Sequence, residues 1–395
     1  MTRQVATIVD ATFDALAAFT AAGSASAAPA FEDAGPAVLA ALAPVANHAG
    51  NDELRRRALG NWLDRMDGNA ASLGLFGGLA GQYVGAYVAS SFLPRLAPLA
   101  QQLRHVLTNG EAGWPWRTES VAWEDYDLVS GPAGMILALT TDPGCPANSV
   151  LPAANHLAIL CEDDALDRLR VGFYRDDRLR SWNFGRINTG MAHGVAGVAA
   201  ALRAASETAP WVRQQLGPPL RRVCRWLMEE SFNDSRGLLT WTPGGREGAP
   251  PPSGASSRQA WCYGAPGVAW ALWESARVLD DPGLRSFAED AMRTFCAAFA
   301  EERYIDDAPA DDALAFCHGA AGTLAIADAF ARSAKLTEAA SLADRLEAYL
   351  LARLDEVQAL AERNMTLLTG ASGILAVLLT RHGGGRDWLS QFALR

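Results

Sequence analysis

Gly194-Val-Ala-Gly-Val-Ala-Ala-Ala-Leu202 opens on a Gly-x-x-Gly pair and runs without a break into apolar residues. The arrangement recurs along the 395-residue sequence, ending on Gly81, Gly134, Gly197, Gly267, Gly322 and Gly373. These last glycines stand about 50 to 70 residues apart, the length of a helix hairpin with its connections. The runs that follow, such as 195–202, 268–273 and 323–330, have no polar face and read as buried inner helices. Between them lie one-faced segments: in 339–354, Leu342, Leu346, Tyr349, Leu350 and Leu354 share a side against Asp344, Arg345, Glu347 and Arg353. These read as outer helices. An inner ring touches protein all round and an outer ring keeps one wet side, so the alternation predicts an all-α fold, an α/α toroid. An open solenoid would instead leave a wet face on both helices of each pair.

Composition agrees. Half of the residues are hydrophobic and no long polar linker divides the chain, so residues 1–395 are expected to form one domain. Alanine and leucine dominate, and Lys335 is the sole lysine among many arginines. The net charge of -10 is spread without an acidic block, and no basic stripe interleaved with aromatics stands out, which excludes a nucleic-acid partner. Six cysteines (145, 161, 224, 262, 296 and 317) are too sparse for a disulfide scaffold and point to a reducing cytoplasm. Arg3, an alanine-rich run and Ala-Ser-Ala at 25–27 imitate a signal peptide, but Asp10 and Asp14 make 7–21 an amphipathic helix. The uncharged stretch 68–94 is long enough to cross a bilayer, yet its glycines, Gln82, Ser90 and Ser91 favour a buried helix, so an integral membrane protein is not expected. Two segments interrupt the repeat. One, around 86–124 with Trp114, Trp116 and Trp123, is expected to be a lid or peptide-binding insertion; the other, 243–257, reads as a surface loop.

Aligned on the glycine pairs, Cys262 and Cys317 each stand two residues before the first glycine of adjacent copies. A closed ring makes such equivalent positions neighbours. The next position holds Tyr263, His318 and, in the third copy, His193, whereas the first and sixth copies carry Phe76-Gly77 and Leu368-Thr369. The fold therefore does not itself require cysteine or histidine at this level. Two thiolates and an imidazole form a typical zinc set, and three protein ligands leave a fourth position open, as catalysis needs. Cys262, Cys317 and His318 are the expected ligands of one Zn²⁺ per chain. A thiol bound at such a site ionises near neutral pH, and its addition to an electron-poor alkene gives an enolate that needs charge stabilisation and a proton. His193 is a candidate for the proton, Arg258 for the charge, and Asp127 for orienting one of them. Taken singly, these three residues would read as a packed histidine, a surface arginine and a helix cap.

Asn188-Thr-Gly-Met-Ala-His-Gly-Val-Ala-Gly197, Trp261-Cys-Tyr-Gly-Ala-Pro-Gly-Val268 and Cys317-His-Gly-Ala-Ala-Gly322 resemble, in order, the three signature motifs of lanthionine synthetase C cyclases. Asp127-Leu-Val-Ser-Gly-Pro-Ala-Gly134 is similar to that family's aspartate motif, and the resemblance runs from about residue 70 to the end. It implies the double-ringed toroid, zinc on Cys262, Cys317 and His318, and an active site lined by His193, Asp127, Arg258 and Tyr263. The implied reaction joins peptide cysteine thiols to dehydroalanine or dehydrobutyrine in lanthipeptide biosynthesis. Gln259 stands where that family often has an acidic residue. The length leaves no room for a fused dehydratase, so the implied partners are a dehydrated precursor peptide with its leader, a separate dehydratase and an exporter, in a cytoplasmic complex at the membrane. Other readings stay open: addition of glutathione or another thiol to dehydroamino acids, or a non-catalytic zinc-binding interaction toroid. A prenyltransferase-like or glycosidase-like barrel fits less well, lacking an aspartate ligand or a carboxylate pair at the motif level.

Overall fold

Glycine caps six of the seven helices that line the axis. The computed structural model describes residues 3–21, 33–43, 51–66, 72–109, 114–250, 252–254, 258–305 and 309–394. Its helices are α1 (Arg3–Ala21), α2 (Gly35–Leu42), α3 (Asp52–Arg65), α4 (Leu79–Ser90), α5 (Ala97–Asn109), α6 (Pro132–Leu139), α7 (Ala147–Leu160), α8 (Val195–Ser206), α9 (Pro210–Glu230), α10 (Ala265–Leu279), α11 (Pro282–Ala298), α12 (Glu301–Tyr304), α13 (Ala310–Leu314), α14 (Ala320–Ser333), α15 (Thr337–Leu351), α16 (Leu354–Ala361) and α17 (Ala371–Arg381). A two-residue hairpin, Phe232–Asn233 with Leu239–Thr240, is the only sheet among the described residues. The inner ring runs α2, α4, α6, α8, α10, α14, α17 and closes as α17 packs back on α2. Behind these lie α3, α5, α7, α9, α11 and α15, with α1 and α16 behind α17 and α1 also against α3. The expected α/α toroid is the observed fold.

The repeat has a steric cause. In each copy the backbone loops over the first turn of its inner helix, so that the second glycine lies against the carbonyl six residues earlier: Gly322 on Phe316, Gly373 on Leu367, Gly267 on Trp261. A methyl group at these positions would overlap backbone. Every residue of α6 and α8 is buried, as an inner ring requires. One consequence escaped the periodicity argument. Glu347, placed by spacing on the wet face, is 6% exposed because it meets Arg381 Nε at 2.8 Å, His382 Nε2 at 2.5 Å and Gln4 Nε2 at 3.0 Å. The outer segment 339–354 also breaks after Leu351, with Leu354 opening α16.

Helix α2 is an inner helix without a Gly-x-x-Gly pair. Asp33 substitutes for the missing loop: its Oδ1 accepts from Gly35 N (2.8 Å) and its Oδ2 from Leu367 N of the sixth copy (2.7 Å). The amphipathic helix expected at 7–21 is α1, which buries Ile8, Val9, Phe13, Leu16 and Phe19; Ala-Ser-Ala at 25–27 lies outside the described residues. The expected buried helix of 68–94 is α4, although 67–71 also lie outside them. Within 86–124, α4 and α5 form an ordinary inner–outer pair, which leaves 114–124 as the irregular part.

The axis is filled by the chain's own end. A 3-10 segment, Asp387–Phe392, buries Trp388, Leu389 and Phe392, and it is held by Trp261 Nε1 on Phe392 O (3.0 Å) and Trp270 Nε1 on Ala393 O (2.7 Å). Phe392 also lies 3.8 Å, centroid to centroid, from Phe316. This plug supports Trp261 and Phe316, the residues immediately before Cys262 and Cys317.

Glycines of the two kinds should respond oppositely to alanine. Gly322→Ala forces the loop off its helix and should destabilise by about 3 kcal/mol, in the range of core overpacking. Gly60→Ala, in the interior of α3 with nothing within 4 Å of the added atom, should stabilise by about 0.5–1 kcal/mol. Urea midpoints of both variants against the parent protein check the contrast.

Candidate metal centre

The loops before the inner helices are joined to one another by backbone hydrogen bonds. Leu75 N donates to Val129 O (2.9 Å), Leu128 N to Ala192 O (3.1 Å), Met191 N to Cys262 O (2.9 Å), Cys262 N to Cys317 O (3.1 Å) and Cys317 N to Leu368 O (2.8 Å). Successive copies are thereby held in register at one end of the toroid, and residues far apart in sequence become adjacent.

Cys262, Cys317 and His318 present donor atoms within 4.8 Å of one another, a set that could hold a metal ion. The local chemistry fits a cation. The Cys317 thiol is pushed up by its hydrogen bond with Cys262, by burial and by the neighbouring Cys262 charge, so two thiolates are disfavoured until positive charge arrives. Burial works against the charged form of His318, but Cys317 and Asp312 outweigh it and its pKa rises. Both ring nitrogens of His318 are buried without a hydrogen-bond partner among the described residues; Asp312 Oδ1 stands 3.1 Å from Nε2 but off the direction a hydrogen bond needs. An imidazole buried this way suits a metal ligand.

The same register pairs the second and third loops. His193 Nδ1 meets Asp127 Oδ2 at 2.5 Å, while Asp127 Oδ1 accepts from Ser130 N (2.7 Å) and Gly131 N (2.9 Å). Asp127 is fully buried, and burial raises its carboxyl pKa even though His193 and Ser130 pull it down. One oxygen thus caps its own loop and the other fixes the histidine. Trp123 stacks on the His193 ring at 4.0 Å and 16°, and Tyr126 Oη donates to His193 O (3.1 Å). With Nδ1 occupied, Nε2 is the nitrogen left for chemistry.

Tyr263 accepts from Asn188 Nδ2 at 3.0 Å, and its ring lies on Gly190, where a Cβ would stand 2.6 Å away. Burial holds its phenol well above the usual range. Tyr263 and Arg258 line a cleft of about 580 Å³ with Trp182, Arg186, Thr242 and Gly244. The metal set is one group, the Asp127–His193 pair a second, and Tyr263 with Arg258 a third. Met191 and Ala192 connect the first two by donating to Cys262 O. Gln259 has a structural task instead: its Oε1 accepts from Ala265 N at 2.8 Å and caps α10. Sequence reasoning named Trp123 only within a longer segment and Asn188 only within a motif, and it passed over Trp182, which no repeat phase marks; Asn188 shares its phase, six residues before the first glycine, with Ser72 and Asn364, each of which accepts from the N–H two residues on.

The profile of the family described as lanthionine synthetase C-like protein matches residues 34–393, an extent that begins earlier than the resemblance at about residue 70 and takes in α2. No curated protein matches the sequence. Among solved structures, nisin cyclase superposes with a TM-score of 0.75 at 19% identity, covering 91% of this chain and 90% of its own.

Protein as purified should carry about one metal ion per chain, the stoichiometry of a single three-ligand centre. Cys262→Ala and Cys317→Ala should each lose it while keeping native helicity, since other copies hold apolar residues at this level. Metal analysis alongside circular dichroism tests both halves, and full metal in both variants would refute the ligand assignment.

Proposed function

This chain belongs to the lanthionine synthetase C-like family, and within it we propose a zinc-dependent cyclase that closes thioether rings in a dehydrated precursor peptide. The observation that carries the reading is the neighbourhood of two unlike groups: a buried Cys-Cys-His set, and a histidine held by a buried carboxylate with one nitrogen free. The name of nisin cyclase, which shares the fold, points the same way.

Bound by Cys262, Cys317 and His318, zinc would hold a substrate cysteine as its thiolate near neutral pH. The chain's other residues account for the rest. Attack of the substrate sulfur on the β-carbon of dehydroalanine or dehydrobutyrine moves the alkene electrons toward the adjacent carbonyl, giving an enolate. Arg258 and the un-ionised phenol of Tyr263 are the donors for that oxygen. His193 Nε2 delivers a proton to the α-carbon and recovers one from the next thiol, so the net reaction adds S–H across the double bond. Asp127 keeps Nδ1 protonated and stabilises the imidazolium between these events. Trp123 and the Asn188 bond to Tyr263 restrict how the two rings turn.

The proposed partners are the precursor peptide with its leader, a separate dehydratase and an exporter. No helix among the described residues is long and apolar enough to cross a membrane. All six cysteines are free, and we place the enzyme in the reducing cytoplasm, where substrate thiols also stay reduced.

His193→Asn should retain zinc and its thermal midpoint yet slow ring closure by ~10²-fold or more, the usual effect of losing a general acid or base. The assay is mass-spectrometric counting of unalkylated thiols on a dehydrated peptide near pH 6, where spontaneous addition is slow because free thiolate is scarce. Native-rate closure in this variant would remove His193 from proton transfer.

A further inference from the structure

Among the described residues, six large apolar side chains are exposed, and three of them, Phe173, Leu179 and Trp182, belong to one short loop. Its base is closed by Val171 N on Arg186 O (3.0 Å) and Gly185 N on Val171 O (2.8 Å). The loop is well built, but its polarity is reversed. Arg180 turns back on Asp177 (Nη2–Oδ2 2.6 Å), and Asp177 Oδ1 also accepts from Leu179 N (2.9 Å). Arg180 further covers the Tyr174 ring at 4.1 Å, and Tyr174 Oη donates to Glu124 (2.7 Å). The charged pair thus ties the loop internally while Leu179, 85% exposed, faces water. Arg178 and Arg186 are exposed and meet no carboxylate among the described residues, and Arg175 rests only on the Phe184 ring. The surface continues into the cleft of Tyr263 and Arg258, because Trp182 and Arg186 line that cleft and Trp182 meets the Tyr263 ring edge-on at 6.2 Å.

We propose that the loop 172–184 is the docking strap for the peptide substrate, taking an extended segment whose acidic side chains meet Arg175, Arg178 and Arg186 and whose apolar side chains cover Leu179 and Trp182. The proposal rests on the cyclase reading for the peptide's identity, but the strap's chemistry is defined without it. Apolar contact supplies affinity and the arginines select sign, the division seen where charges surround a small apolar patch. The strap leads the chain past Tyr263 toward the metal centre.

The test is fluorescence anisotropy of the metal-loaded full chain with three short, capped peptides that carry the same dye and lack both cysteine and dehydroalanine. One alternates Glu with Leu and Phe, the second replaces Glu by Lys, and the third replaces Leu and Phe by Ser. The acidic–apolar peptide should bind ~10-fold or more tighter than either of the others, and its affinity should fall by ~10-fold in Arg178→Glu/Leu179→Ser. Arg175→Glu is a second variant should the first fail to fold, as judged by its thermal midpoint. Trp211→Ser, which removes an exposed tryptophan on α9, should change nothing. Equal binding of the basic peptide, tighter binding of a single-stranded oligonucleotide, or binding insensitive to the strap variants overturns the proposal. Loss of ring closure with strap binding intact would instead count against the cyclase reading alone.

Discussion

The hydrogen bonds that pass from one motif loop to the next are the constraint on which the rest of this molecule depends. The six Gly-x-x-Gly helices start at the same end because their loops bond to one another through the backbone, and the spacing of those bonds sets the separation of side chains across copies. The bond from Cys262 N to Cys317 O brings two thiols together, and the bond from Leu128 N to Ala192 O aligns Asp127 with His193. The glycines follow from the same requirement: only a residue without Cβ lets the loop lie on the helix it begins. Inner helix N-termini therefore gather at one end of the ring, where their partial positive charge favours an anion such as a thiolate.

Ring closure leaves a second requirement, an axis between the inner helices that must be filled. The C-terminal residues meet it with aromatic side chains, and the carbonyls of Phe392 and Ala393 satisfy the indole N–H groups of Trp261 and Trp270. A buried indole without an acceptor would cost about 1–3 kcal/mol, so the tail stabilises the ring it fills. On the side of the cleft, Gly244 and Gly245 contribute backbone rather than bulk.

Much of this was legible in the sequence because a repeat carries phase. Once the glycine pairs were aligned, Cys262 and Cys317 fell on equivalent positions, and equivalence in a closed ring means proximity. What escaped had no phase to read. Helix α2 hides because the Asp33 carboxylate does the work of a loop. Glu347 was assigned to water because periodicity reports a face, not the partners waiting on it. The plug at 387–394 is short and aperiodic, and its burial depends wholly on the ring around it. The loop 172–184 shows no basic stripe because Asp176 and Asp177 interrupt Arg175, Arg178 and Arg180, and only the fold separates the paired Arg180 from the unpaired Arg178.

Electrostatics also decides what kind of cysteine site this is. A catalytic cysteine nucleophile needs a thiolate at neutral pH, which calls for a lowered pKa beside a cation or a histidine held as its partner. Cys317 has the opposite environment: Cys262 and burial push its thiol up, and the histidine beside it only partly offsets them. Two thiols brought together by backbone bonds, with an imidazole lacking hydrogen bonds next to them, carry a deficit that a divalent cation reverses at a stroke, since it favours the deprotonated form of all three donors. The histidine that does have a carboxylate partner, His193, sits in a neighbouring loop. The ring thereby sets the candidate metal set and the carboxylate-held histidine in neighbouring loops, joined through the bonds of Met191 and Ala192 to Cys262 O.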